Sequence, residues 1–398
     1  MEHDHHHRSQ RLRIWHVVRE PQANTVRSLV TLARSQRNAG HIVKFAILRS
    51  KKWIVPDWLS EFNHTFIWSL NTFSAAAYLL HELTGNCQRW LSRHAENRSP
   101  LVVHYHDGWQ AGALLSSALH PDQIQVVTYH DALTNIPPNR HIAQRAVQRH
   151  WAKRVHRIAD AITSIDNLAP RRASELFGVV DDRFSVIPCG VSANPLSALI
   201  RRFGGPELVV GHINDINNPQ DWRLTAQAVD ECRAQGIGVR LVVAGGGQER
   251  ALIQQWCAER PNHCEYLEGA NDLPNRLWPR IDALSVPSYT ETSAITVMEA
   301  LAGGVPVVAT KTNFLVDVVR NGMEGFLVEP GVKAFVAAFA QLTSDRALAE
   351  RLSKQCQRRW KDKFSSDVME ASYRQIYLSA LAQRRQTPAP LIDAMPIV

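Results

Sequence analysis

From Leu12 onward the chain alternates short apolar runs with amphipathic stretches, the rhythm of βα units around a parallel sheet buried on both faces. "RIWHVV" (13–18) predicts a first strand, "TVRSLVTLARSQRNAGH" (25–41) its helix, ending near Gly40, and "IVKFAIL" (42–48) a second strand. Further strands are predicted at "LVVHYH" (101–106), "QVVTYH" (125–130), "AITSI" (161–165) and "FSVIP" (184–188). The periodicity lapses over "CGVSANPLSALIRRFGGPE" (189–207), where Gly, Pro and Ser collect. It resumes with "LVVGHI" (208–213), "VRLVVAGGG" (239–247), "CEYLEG" (264–269), "ALSVPS" (283–288), "VPVVAT" (305–310) and "GFLVEP" (325–330). Helices continue through 332–360, and a last one covers about 366–384. This pattern predicts an α/β protein of two doubly wound domains, 10–195 and 206–365, with 366–386 completing the first. Ligands of open α/β sheets bind at the carboxyl ends of the strands, so a cleft shared by the two domains is the expected site.

Composition agrees with this division. A chain of 398 residues exceeds the size at which single cores stop growing, and 45% apolar with 21% charged residues is ordinary for a globular protein. The formal net charge of +8 and a pI near 9.3 favour an anionic partner: phosphate groups, a nucleotide, an acidic membrane surface or nucleic acid. Six scattered cysteines without a CxxC pair argue against a zinc ribbon and a disulfide framework, and fit a reducing cytoplasm. No apolar run approaches the roughly 18 to 20 residues that span a bilayer. The His-rich start, with His3, His5, His6 and His7, reads as a flexible leader or tag rather than a metal site.

The chemistry concentrates in "PSYTETSAITVMEALAGGVPVVAT" (287–310), where Glu291 and Glu299 stand eight residues apart around the start of a helix expected near Ser293. The first-turn N–H groups of Ser293, Ala294, Ile295 and Thr296 would form an anion site aided by the helix dipole. A carboxylate just before such a site can accept hydrogen bonds from sugar hydroxyls, and one further along can take the vicinal hydroxyls of a ribose. By spacing alone, Glu291 reads equally as a solvated loop acid and Glu299 as a helix-surface acid.

The segment "ETSAITVMEALAGGVPVVAT" resembles the E-x7-E stretch of the retaining GT-B fold glycosyltransferases of family 4 (glycosyl transferases group 1). "LVVHYHDGWQAG" is similar to that family's "VHAHDWxSG", "QVVTYHDA" to its "VxTxHD", "FSVIPCGV" to "VIPNGV", and "DVVRNGMEGFLVEPG" to "EVVxDGxNGxLVxPG". "FSSDVMEASYRQIYLSAL" looks like its final helix, which crosses back to the N-terminal domain. The resemblance implies two Rossmann-like domains facing a central cleft, and transfer of a hexose with retention from a nucleotide sugar, UDP- or GDP-linked. It implies no cofactor and no obligatory metal. On matching positions Glu291 would hold the donor sugar, Glu299 the ribose, and His130 the donor sugar or its oxocarbenium-like transition state. Gly211 and His212 fall on the donor side, and Arg19, Asn24, His106, Asp107 and Lys311 are candidate phosphate or acceptor contacts.

Two features depart from the family. The loop after the first strand, "REPQANT" (19–25), has no Gly, and "VVGHINDINNPQDWRL" (209–224) lacks the usual Arg and Lys of the diphosphate clamp, with His212 at the Arg position. A protonated His212, Arg19, Arg27 or Lys311 would have to replace them. The competing reading is a catalytically degraded homologue serving as binding partner or chaperone of another glycosyltransferase. "RHIAQRAVQRHWAKRVHR" (140–157) carries six Arg or Lys, no acid and one apolar stripe through Val147, Trp151 and Val155. It reads either as a helix packed on its own sheet or as an attachment to an anionic membrane face, as a glycan or lipid-linked acceptor would suit. Nucleic-acid signatures are missing, so no nucleic-acid partner is expected; the cysteine usage and the basic helix together place the chain in the cytoplasm, peripheral to the inner membrane face.

Overall fold

The structure is a computed structural model that describes residues 10–19, 23–49, 55–68, 101–106, 108–115, 122–130, 142–179, 183–192, 203–213, 219–245, 249–268, 276–288, 294–312 and 315–386. The chain divides into two compact units, Met1–Pro188 with Met369–Val398, and Cys189–Val368.

In the first unit the strands are β1 (Arg13–Arg19), β2 (Ile42–Arg49), β3 (Asn63–Trp68), β4 (Leu101–Tyr105), β5 (Gln123–Tyr129), β6 (Ala161–Ser164) and β7 (Phe184–Val186). They form one parallel sheet in the order β3-β2-β1-β4-β5-β6-β7. The order reverses between β1 and β4, the switch point at which such sheets open a ligand crevice. The strand β3 has no counterpart in the sequence reading, because "NHTFIW" begins with three polar residues and lies at the sheet edge, where one-sided burial leaves little apolar signal.

Helices α1 (Ala23–Asn38), α2 (Ile142–Ile158) and α3 (Leu168–Phe177) cover this sheet. On one face Trp15, Val17, Val103, Tyr105 and Tyr129 pack with Trp151, Val155 and Phe177. On the other, Leu12, Ile14, Val102, Ile124 and Val126 pack with Met369, Tyr373, Tyr377, Ala380 and Leu381 of the closing helix, α10 (Ser366–Gln386).

The second unit holds β8 (Leu208–Ile213), β9 (Val239–Ala244), β10 (Cys264–Leu267), β11 (Ala283–Val286), β12 (Val307–Thr310) and β13 (Gly325–Val328), in the parallel order β10-β9-β8-β11-β12-β13. Its switch point lies between β8 and β11. The helices are α4 (Pro219–Ala234), α5 (Arg250–Ala258), α6 (Ala294–Ala302), the single turn α7 (Leu315–Val318), α8 (Val332–Ser344) and α9 (Arg346–Arg359). Asp345 divides the last two: its Oδ1 accepts the Leu348 N–H at 2.8 Å and so caps α9.

Candidate functional site

Four histidines gather at the β1/β4 switch point. His16 on β1 and His104 on β4 are register partners, and His106 and His130 directly follow β4 and β5. His16, His104 and His106 are buried, and His130 is half-buried, the outermost of the four. His16 Nδ1 lies 2.8 Å from His106 Nε2, and His106 Nδ1 lies 2.7 Å from His130 Nε2. At the inner end His16 Nε2 is 2.8 Å from Gln36 Oε1 on α1. A second branch joins Gln36 Nε2 to the Tyr377 hydroxyl (3.3 Å), Tyr377 to His104 Nδ1 (2.8 Å), and His104 Nε2 to Thr128 Oγ1 (2.6 Å).

Burial is the main force on these rings, because a charged imidazole without water or a counter-ion is disfavoured. It lowers His16 to about 4 against the opposing Gln36 hydrogen bond, lowers His130 to about 4, and holds His104 and His106 well below the usual histidine range, with neighbouring imidazoles adding to the effect at the last three. All four are neutral at physiological pH. His16, His104 and His106 also offer ring nitrogens within 4.8 Å of one another, the spacing of a metal site. Each of those six nitrogens already has a hydrogen-bond partner, so a cation would have to displace the network.

In the second unit α6 starts eight residues after the end of β11, and seven of its nine residues are buried. Thr296 and Glu299 are the two that are not, and three-residue spacing puts them on one face of the helix. Glu299 is therefore a half-buried acid on an otherwise enclosed helix, unlike an ordinary surface glutamate. Ala294, Ile295 and Thr296 form its first turn, whose N–H groups lack intrahelical acceptors by geometry. Glu291 and Ser293 lie outside the described residues, as does Asp107.

The family described as Glycosyltransferase Family 4 matches residues 25–194, and that described as Glycosyl transferases group 1 matches residues 204–359. The chain belongs to the family 4, group 1 glycosyltransferases. A glycogen synthase of Mycobacterium tuberculosis is 29% identical over 313 residues, 75% of this chain and 72% of the relative. A 2-deoxystreptamine glucosyltransferase of Streptomyces kanamyceticus is 29% identical over 222 residues, 52% of this chain and 56% of the relative. Among solved structures, a glycosyltransferase from Rickettsia africae aligns with a TM-score of 0.72 at 15% identity, covering 93% of this chain and 99% of the other. Anabaena HepE, solved with UDP and glucose, aligns with a TM-score of 0.64 at 16% identity, covering 92% and 99%. The fold is GT-B.

Several expectations for this glycosyltransferase change in the structure. His212, taken as a protonated stand-in for the missing arginine, is only 2% exposed on β8, and burial lowers it to about 4. Its Nδ1 lies 3.3 Å from Thr225 Oγ1 on α4, which also bonds Ser285 Oγ on β11 at 2.8 Å. It is a neutral core residue, and the cationic role is withdrawn. At Gly211 a Cβ would collide with the Ile281 side chain, so glycine there admits close strand packing. Arg19 ends β1 half-buried, and Lys311 is exposed directly after β12, its N–H bonded to the Val328 carbonyl at 2.9 Å. Asn24 belongs to α1, and its side chain lies outside the described residues.

The basic helix α2 resolves toward the first of its two readings. Trp151 and Val155 are buried in the core, with Val147 and Ile158 packed beside them, while Arg145, Arg149, Lys153 and Arg157 are exposed. Its apolar stripe is thus occupied inside the fold. No helix among the described residues is long and apolar enough to cross a membrane.

His16, Gln36, His104 and Tyr377 were not singled out from the sequence. The available signal was "HYHD" beside "TYHD": strand-end histidines on neighbouring strands imply a cluster once the strand order is known.

Proposed function

We propose that the chain is a retaining hexosyltransferase that moves a hexose from a nucleotide sugar, with UDP or GDP as the nucleotide, to a glycan, lipid-linked or small-molecule acceptor. The observation that supports this most is α6: a helix beginning beyond the carboxyl end of a switch-point strand, enclosed except at Thr296 and Glu299. In this reading the first-turn amides of Ala294, Ile295 and Thr296 receive the diphosphate, with Ser293 extending the site, and Glu299 takes the ribose hydroxyls. Glu291 holds the donor sugar, and His130 faces that sugar as a neutral hydrogen-bonding group. The leaving phosphate oxygen accepts the acceptor's proton, so no side chain serves as nucleophile and no metal is required; the protein binds and stabilises developing charge. Arg19 and Lys311 remain as candidate cationic contacts, with Asn24 and Asp107 beside the donor and acceptor; His106, buried with both ring nitrogens bonded to His16 and His130, has none left for either. The UDP and glucose in HepE and the glycogen synthase relative favour a glucosyl donor and a glycan acceptor.

The test is a thermal-shift panel of UDP-, GDP-, ADP- and dTDP-sugars followed by turnover. A UDP- or GDP-sugar is expected to stabilise the protein and to be consumed at the same rate with and without EDTA. Glu291→Ala is expected to abolish consumption. A protein that no nucleotide sugar stabilises would instead be the degraded homologue that partners another transferase, a reading favoured by the neutral, buried His212 in place of a clamping arginine. Contact with an anionic membrane through 140–157 is, in this proposal, purely electrostatic. Cosedimentation with anionic vesicles should then vanish near 1 M salt, where charges are screened within about 3 Å.

A further inference from the structure

The neutral imidazole chain has a direction. A neutral ring carries one N–H, so in a line of such rings each must donate on one side and accept on the other. The inner end settles which. Gln36 Oε1 faces His16 Nε2 at 2.8 Å, and an amide oxygen only accepts, so His16 carries its proton on Nε2 and leaves Nδ1 bare. His106 Nε2, 2.8 Å from that bare nitrogen, must donate to it. His106 Nδ1 is then bare in turn and accepts from His130 Nε2 at 2.7 Å.

We infer that Gln36 is a positioning residue which, through His16 and His106, fixes His130 as its Nε2–H tautomer and leaves Nδ1 as a bare acceptor for a hydroxyl of the bound sugar. The assignment of the sugar hydroxyl rests on the function proposed above; the tautomer does not.

The second branch agrees with this orientation of the amide. Gln36 Nε2 donates to the Tyr377 hydroxyl at 3.3 Å, which donates to His104 Nδ1 at 2.8 Å; His104 Nε2–H then donates to Thr128 Oγ1 at 2.6 Å. Turning the amide over would reverse these three hydrogen bonds together with the three on the His16 branch. Along the His16 branch the linked set resists partial rearrangement, since a single reversed ring leaves two donors or two bare acceptors facing each other in a buried site. The consequence is chemical selectivity at the outer ring. A bare Nδ1 accepts from a hydroxyl but cannot donate to a phosphate oxygen, so His130 would read a sugar hydroxyl rather than a phosphate.

Nitrogen-15 NMR of the histidine-labelled full chain tests this without a mutation. The expected spectrum shows His130 with Nε2 protonated and Nδ1 bare near neutral pH; a proton on Nδ1 overturns the inference. Gln36→Leu removes the acceptor and is expected to give mixed tautomers at His130 and a fall of about tenfold in kcat with little change in donor KM. Gln36→Glu keeps an acceptor toward His16 and is expected to restore the Nε2–H signal, which a purely structural role for Gln36 would not do. A Gln36→Leu protein with an unchanged His130 spectrum also overturns the inference. His130→Ala separates the two claims. Unimpaired transfer in that variant, alongside the Nε2–H spectrum, defeats the sugar-contact role alone; impaired transfer alongside an Nδ1–H spectrum defeats the tautomer assignment alone.

Discussion

At the scale of single residues, the same identity means opposite things in different surroundings. Glu299 is an acid midway along a helix that is enclosed except at Thr296 and Glu299 itself, and a carboxylate is left half-buried only where it has something polar to meet. Losing a charge-assisted hydrogen bond costs roughly 1.5 to 3 kcal/mol. Glu299→Ala should therefore raise the donor KM about ten- to hundredfold with a smaller effect on kcat, as steady-state kinetics at saturating acceptor would show. His212 is the contrary case: the position suggested a cation, yet burial keeps it neutral. His16 and His212, held near 4 in the fold against an ordinary 6.5, gain their protons later in the folded than in the unfolded chain. Above 6.5 both states are neutral and neither ring affects stability. As pH falls from 6.5 toward 4 the unfolded chain binds protons that the folded chain does not, so stability drops, by on the order of 3 kcal/mol per ring at the end of the window. Denaturant midpoints measured from about pH 7 to about pH 5 should fall steadily; a midpoint unchanged across that range would contradict the neutral burial of these rings.

At the scale of elements, close approaches decide what a segment can be used for. The turn Gly108–Ala113 meets α2 at Gly112, where a Cβ would overlap the Trp151 backbone carbonyl. Backbone cannot swing aside as a side-chain end can, so Gly112→Ala should destabilise the protein by about 1 to 3 kcal/mol, read as a lowered melting temperature with no change at an exposed control such as Gly204, where a Cβ meets nothing. This contact also explains why α2 serves the core. Its stripe of Val147, Trp151 and Val155 looks amphipathic enough for a lipid surface, but the sheet and this turn already cover it. Periodicity reports that a face is apolar, and the neighbouring elements decide what buries it. The same limit hid β3, whose polar first half carries no alternation strong enough to announce an edge strand.

At the scale of the whole molecule, α10 ties the end of the chain to its beginning. Met369, Tyr373, Tyr377, Ala380 and Leu381 complete the core over Leu12, Ile14, Val102, Ile124 and Val126, and Arg384 pairs with Asp160 at 2.9 Å. A chain ending at Val368 should lose the first unit's cooperative unfolding transition while the second unit, Cys189–Val368, keeps its own; calorimetry with limited proteolysis distinguishes the two. The strands and their alternation with helices were legible in the sequence because a parallel sheet buried on both faces favours apolar runs, and twelve of the thirteen strands among the described residues coincide with a predicted one. That Glu299 falls on a helix and His130 at a strand end was legible for a related reason, since such placement is set locally by what opens one helix or ends one strand. The partners of His130 were not legible, since Gln36, His16, His104 and Tyr377 come from a helix, two strands and the closing helix, up to 341 residues apart. Burial and strand order bring them together, and the neutrality and direction of the network exist only once water has been excluded from all of them at once.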